Sequence, residues 1–132
     1  MSARLYKLGS VFLVAVMLAG CQTADSGAEL RRQYDAAFQE MLRQPANLDS
    51  LFKFATLAEQ VGDNEGAISA LERMLLLDPN LPRVQLELGL LYYRLRSYDM
   101  AQTYLDLALK SPELPPDIRK QAERVLARAQ KQ

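Results

Sequence analysis

The chain of 132 residues has no histidine, no tryptophan and one cysteine. Without histidine it holds no Ser-His-Asp triad, no Cys-His dyad and no His-based metal site. One cysteine allows no intramolecular disulfide. Excess charge of one sign is also missing, with 16 Lys+Arg against 16 Asp+Glu. That balance speaks against a nucleic-acid protein, which carries a basic surplus. Runs of alternating polarity and clusters of β-branched residues, the marks of strands, are scarce after residue 27. What is present is a 49% hydrophobic chain, enough to fold as one small domain rather than remain disordered. These exclusions leave a binding or scaffolding role. Catalysis, cofactors, metals and small-molecule substrates are not expected.

The stretch 1–20 differs in kind from the rest. Arg4 and Lys7 give a positive start, and Leu8–Ala19 is an apolar run. A membrane-spanning helix needs roughly 20 apolar residues, and this run is much shorter. It reads as the core of a secretory leader. Leu18-Ala19-Gly20-Cys21 resembles the lipobox of bacterial lipoproteins. The resemblance implies cleavage before Cys21 and acylation of its thiol, palmitate included. Several acyl chains anchor firmly, since each buried methylene contributes ~0.8 kcal/mol. Gln22 after the cysteine favours the outer membrane, with the chain on its periplasmic side. Residues 22–27 are small and polar and read as a flexible tether.

The remainder repeats itself. Leu57/Leu91, Ala67/Ala101, Leu71/Leu105 and Leu75/Leu109 are identical pairs at one common offset. The second copy places Leu88-Gly89, Tyr92, Ala101, Leu105 and Ala108 in order. The first places Leu51, Ala55, Ala67, Leu71 and Pro79. The pattern and its period resemble the tetratricopeptide repeat, a helix-turn-helix unit. Gln85, Ala58 and Glu113 depart from it, at a Trp, a Tyr and a Pro slot. The implied architecture is all-α. A leader (1–20) and a lipidated tether (21–27) precede a repeat solenoid over 28–132. The solenoid divides into a half repeat (28–47), repeats 48–81 and 82–115, and a capping helix (116–131). Asn47 or Asp49, Asp63 or Asn64, and Ser97 are expected helix caps. Gly62 suits a left-handed helix end and Pro82 a first turn. The last helix reads as an apolar stripe backed by a solvated charged face of Arg119, Lys120, Glu123, Arg124, Arg128 and Lys131.

Repeats of this kind present their first helices on a concave face that holds a peptide or helix. The resemblance puts Phe52, Lys53, Thr56, Glu59, Arg83, Leu86, Glu87, Leu90, Tyr93 and Arg94 there. Phe52, Leu86, Leu90 and Tyr93 are apolar at nominally exposed positions, the signature of an interaction surface. A monomer that binds a protein or peptide partner is expected. The chain is similar to small lipoproteins of this repeat class that help pilus and secretion complexes assemble. Its stretch from Tyr34 to the end, with Leu114–Glu123, is also similar to the periplasmic region of barrel-bearing surface-lipoprotein assembly modifiers. The first resemblance implies an envelope-assembly adaptor, the second a component of an outer-membrane export system.

Overall fold

The structure, a computed structural model, describes residues 25–132 in full and assigns helix α1 from Tyr6. Expectations resting on residues 1–24, the leader and the lipidated Cys21 among them, lie outside the described residues. The elements are α1 (Tyr6–Arg43), α2 (Leu48–Val61), α3 (Asn64–Leu77), α4 (Pro82–Arg94), α5 (Tyr98–Leu109) and α6 (Pro116–Ala129). Among the described residues no helix is long and apolar enough to cross a membrane. Asp25, Ser26 and Gly27, at the end of the expected tether, are helical and belong to α1.

Local chemistry sets the helix ends. Asn47 caps α2 by accepting from the Ser50 N–H at 3.0 Å. Gly62 ends α2 in the left-handed region at φ 83°. Asp63 then caps α3, one carboxylate oxygen accepting from the Gly66 N–H at 3.0 Å. Its other oxygen accepts from the Tyr34 hydroxyl at 2.7 Å, which ties α1 to the α2–α3 turn. A Cβ on Gly66 would lie 2.1 Å from that carboxylate, so glycine there keeps the cap in place. Pro82 and Pro116 open α4 and α6, where a missing N–H costs nothing. Ser97 precedes α5, but its side chain makes no cap hydrogen bond. The repeat thus keeps the cap position while the second copy lacks the bond.

Arg96 stands one repeat after Gly62 and takes the same backbone role, at φ 63°. A Cβ is strained there, whereas glycine is not. Arg96→Gly is therefore expected to stabilise by about 0.5–1 kcal/mol, strain relief outweighing the added freedom of the unfolded chain. A higher urea midpoint at unchanged slope would show it; a lower midpoint would mean that the arginine stem contributes more than the strain.

Helices pack in chain order, α1 on α2 through to α5 on α6, and α4 also meets α6. This is the contact pattern of a solenoid, in which each unit touches its neighbours. The fully buried large side chains are Leu51, Leu71, Leu88, Leu91 and Leu105. Three of the four repeat identities are buried pairs, and Leu75/Leu109 is half-buried. Gly89 lies where α4 meets α5. A Cβ built on it falls 2.7 Å from the Leu105 Cγ and 3.1 Å from the Leu105 backbone nitrogen. Arg119 closes the far end by donating to the carbonyls of Leu109 at 2.7 Å and Ser111 at 2.5 Å. Those groups lie at the C-terminal end of α5, where a cation is favoured.

A polar knot joins the two repeats. Glu72 on α3 accepts from the Tyr92 hydroxyl on α4 at 2.9 Å and from Tyr104 on α5 at 3.4 Å. The two rings stack with centroids 5.7 Å apart and planes at 4°. Burial, with the Glu72 hydrogen bond, pushes the Tyr92 phenol up to about 12. An unfolded tyrosine ionises near pH 10. Below that pH the contribution is complete; between the two values the unfolded chain loses the proton first and stability falls. Urea midpoints should therefore drop as pH rises from about 10 to about 12. Tyr92→Phe should flatten that slope, and an unchanged slope would assign it to another group.

Candidate partner-binding face

Helices α2, α4 and α6 begin at equivalent places of successive repeats, Pro116 standing one repeat after Pro82. By repeat register they are the first-helix layer, α4 meeting α6 and reaching α2 through the Arg94–Glu59 pair, and α1, α3 and α5 are the second-helix layer. The ten expected face residues lie on α2 and α4 of that first layer, and they fare differently. Phe52 is 37% exposed although it is aromatic and large. Tyr93 is half-buried, its ring edge-on to Tyr98 at 5.7 Å. Leu90 is half-buried and leans on the cluster beneath α6. Leu86 corrects the expectation: it is 3% exposed and packs with Leu105, Ala108, Leu114 and Ala122. The last helix folds over it, because the apolar stripe of α6 needs a counterpart on α4. Leu86 is core and lines no open face.

Charges on the first two helices of the layer are largely matched. Lys53 donates to Glu40 on α1 at 3.0 Å. Arg94 pairs with Glu59, linking α4 back to α2. Arg83 lies 3.6 Å from Glu87 one turn on. Exposed pairs of this sort contribute ~0–1 kcal/mol each, so their effect is to fix side-chain positions. Thr56 is exposed but its hydroxyl donates to the Phe52 carbonyl at 2.9 Å within its own helix.

Glu87 is paired and yet shifted in its acidity. Burial first, and then the neighbouring Glu59, raise its carboxyl above the ordinary carboxylate value against the pull of Arg83 and Arg94. A group raised in the folded state contributes most when protonated and loses that contribution as pH rises through its folded value. At neutral pH ionised Glu87 therefore costs stability. Glu87→Gln should raise the urea midpoint at pH 7, by up to about 0.5 kcal/mol, with the gain vanishing in acid. A loss at pH 7 would show that the Arg83 pair outweighs burial.

One feature escaped the sequence reading, and a second was expected without its repeat register. Phe38 and Leu42 on α1 are exposed, at 38% and 55%, and Phe38 packs on Phe54 with centroids 5.5 Å apart. In addition, Lys120, Arg124 and Arg128 on α6 are exposed at the repeat positions of Leu86, Leu90 and Arg94. The repeat offset carries that signal, but it is hidden by reading the helix as a cap with a solvated back. Gly62 and Asp63 form the α2–α3 turn, and both oxygens of Asp63 are engaged there.

The tetratricopeptide repeat family model matches residues 82–113, the whole of α4 and α5. Among solved structures the chain is similar to PcrH in its complex with the chaperone binding region of PopD. The TM-score is 0.69 at 14% sequence identity, over 92% of this chain and 93% of that one. The fold is a tetratricopeptide-type helical repeat. No curated protein matches the chain. In repeat terms the described part of α1 stands where a second helix would, α2–α3 and α4–α5 are full units, and α6 is the first helix of a third. Glu123 on α6 stands where Gly89 stands on α4, and it is exposed. A following helix would find no close approach at that point.

Proposed function

We propose that this chain is a protein-interaction adaptor that holds a segment of a partner on the face of α2 and α4. The observation that carries this reading is the exposure of Phe52 on α2, with Tyr93 and Leu90 left half-buried on α4, on helices whose charges are ion-paired. Apolar side chains standing open among fixed polar ones are the usual anatomy of a recognition site. The similarity of fold to PcrH, whose structure holds a region of another protein, supports a groove that takes a single segment.

The leader and the lipobox at Cys21 extend this to a periplasmic adaptor anchored in the outer membrane that serves the assembly of an envelope complex, such as a pilus or secretion apparatus. Anchoring would raise the effective concentration of a partner at the membrane, so a weak groove would suffice. Acylation of Cys21 is checked by metabolic labelling with a palmitate analogue, which Cys21→Ser should abolish.

The groove is tested in cells with a photo-crosslinking residue at position 52 and a control at Asp106, which is exposed on α5. A discrete adduct from 52 alone is expected, with an envelope protein as the captured species. Equal adducts from both positions, or none from 52, would overturn the groove. A captured partner from the cytoplasm would overturn the envelope role and leave the groove standing.

A further inference from the structure

Charge is segregated along the chain. Residues 22–115 hold 9 Lys+Arg and 14 Asp+Glu, whereas 116–132 hold 5 and 2. Within α6, Lys120, Arg124 and Arg128 recur every fourth residue and form one row with about 6 Å of rise between members. All three are exposed, and none takes part in an ion pair among the described residues. On α2 and α4 the corresponding layer is different: Lys53, Arg83 and Arg94 each have a carboxylate beside them.

The row continues the partner-binding face. Leu86 and Leu90 pack into the cluster that α6 completes with Ala122 and Val125, so α6 lies directly beside α4. By repeat register Lys120 and Arg124 stand on α6 where exposed Phe52 and Thr56 stand on α2, and Arg124 and Arg128 where Leu90 and Arg94 stand on α4. We infer that the partner segment carries a cluster of carboxylates next to its apolar part, and that the cluster lies along Lys120, Arg124 and Arg128. This rests on the groove reading above. The apolar part meets Phe52, Leu90 and Tyr93, and the acidic part supplies the charges the α6 row lacks. Such complementarity fixes the direction of the segment and speeds its capture more than it adds affinity.

A lipid surface fits the row less well. Helices that lie on membranes combine a basic face with an exposed apolar one. Among the described residues the exposed large apolar side chains lie on α1, α2, α3, α5 and the α4–α5 turn, none on α6. The apolar stripe of α6 is spent on the core.

The test is selection of a randomised peptide library displayed on phage against the full chain in mild detergent. A parallel selection uses the triple variant Lys120→Gln, Arg124→Gln, Arg128→Gln. Circular dichroism first confirms that the variant is folded. Selected peptides should join apolar residues to a run of Asp and Glu, and the variant should select the apolar part alone. Peptides made from the selected sequences should bind the full chain roughly tenfold more tightly than the variant at low salt, with the difference closing as the Debye length shrinks. Selected peptides without acidic enrichment would overturn the inference and leave the groove intact. No enrichment of any peptide would overturn both. Row-dependent binding to vesicles of phosphatidylcholine and phosphatidylglycerol, with no acidic preference among peptides, would assign the row to the membrane and overturn the inference.

Discussion

Gly89→Leu is expected to cost about 3 kcal/mol or to prevent folding altogether, upsetting the α4–α5 crossing. Two effects compete. Removing a mid-helix glycine favours the helix by ~1 kcal/mol. Against that, even a Cβ would meet the Leu105 Cγ at 2.7 Å and Cδ2 at 2.9 Å. Leu105 is fully buried and cannot swing into solvent. Its backbone nitrogen, 3.1 Å from the same point, moves only if α5 moves. Overpacking of this kind costs typically ~1–3 kcal/mol, so Gly89→Ala should come out between neutral and ~2 kcal/mol destabilising after the helical gain. Leucine adds three more carbons in the same place. A domain of this size holds only ~5–15 kcal/mol in all. Coupling supplies a sharper check: Gly89→Ala combined with Leu105→Ala should be less destabilising than the sum of the two, because each relieves the other. Urea unfolding of the four proteins measures this, and strict additivity would mean that the contact does not limit the crossing.

Tyr93→Glu should remove the adduct formed from position 52 while the protein stays folded. Tyr93 is half-buried at the surface of α4 and touches Tyr98 edge-on. Losing that ring contact costs roughly 0.5–1.5 kcal/mol, which a folded domain can absorb. At the surface the effect is far larger, since a carboxylate at this half-buried position of α4 would have to lose its water when a partner arrives. Burying an unpaired charge costs several kcal/mol, which is a loss of binding by more than a hundredfold. Far-ultraviolet circular dichroism and a melting curve establish folding, and the yield of the adduct reports binding. A folded Tyr93→Glu protein that forms the adduct at full yield would place the partner elsewhere.

The helices were legible because their signals are local. Asn47, Gly62, Asp63, Pro82 and Pro116 each act within a few residues of their own position, through a cap, a backbone angle or a missing N–H. The core was legible for a related reason: the repeat makes each buried position appear twice, as with Ala67 and Ala101. Ser97 marks the limit of such signals. It stands at the right place and makes no cap bond, since a side chain has other rotamers available.

Which face of the first-helix layer stays open was decided by packing between helices far apart in sequence. Phe52 and Leu86 are one repeat apart and chemically alike, yet the first is 37% exposed and the second 3%. The difference is α6, which begins only at Pro116, beyond the whole of α5, and covers Leu86 with Ala122, joined by Leu114 from the preceding loop. The same packing leaves Lys120, Arg124 and Arg128 exposed on α6. Periodicity and capping are short-range, so the repeat, the helix ends and the buried leucines could be read from the chain alone. Packing in three dimensions settled that Leu86 is core, that Glu59 reaches Arg94 on the next repeat, and that Glu87 is half-buried near Glu59. Those outcomes depend on which surfaces meet, and desolvation acts only once they have met.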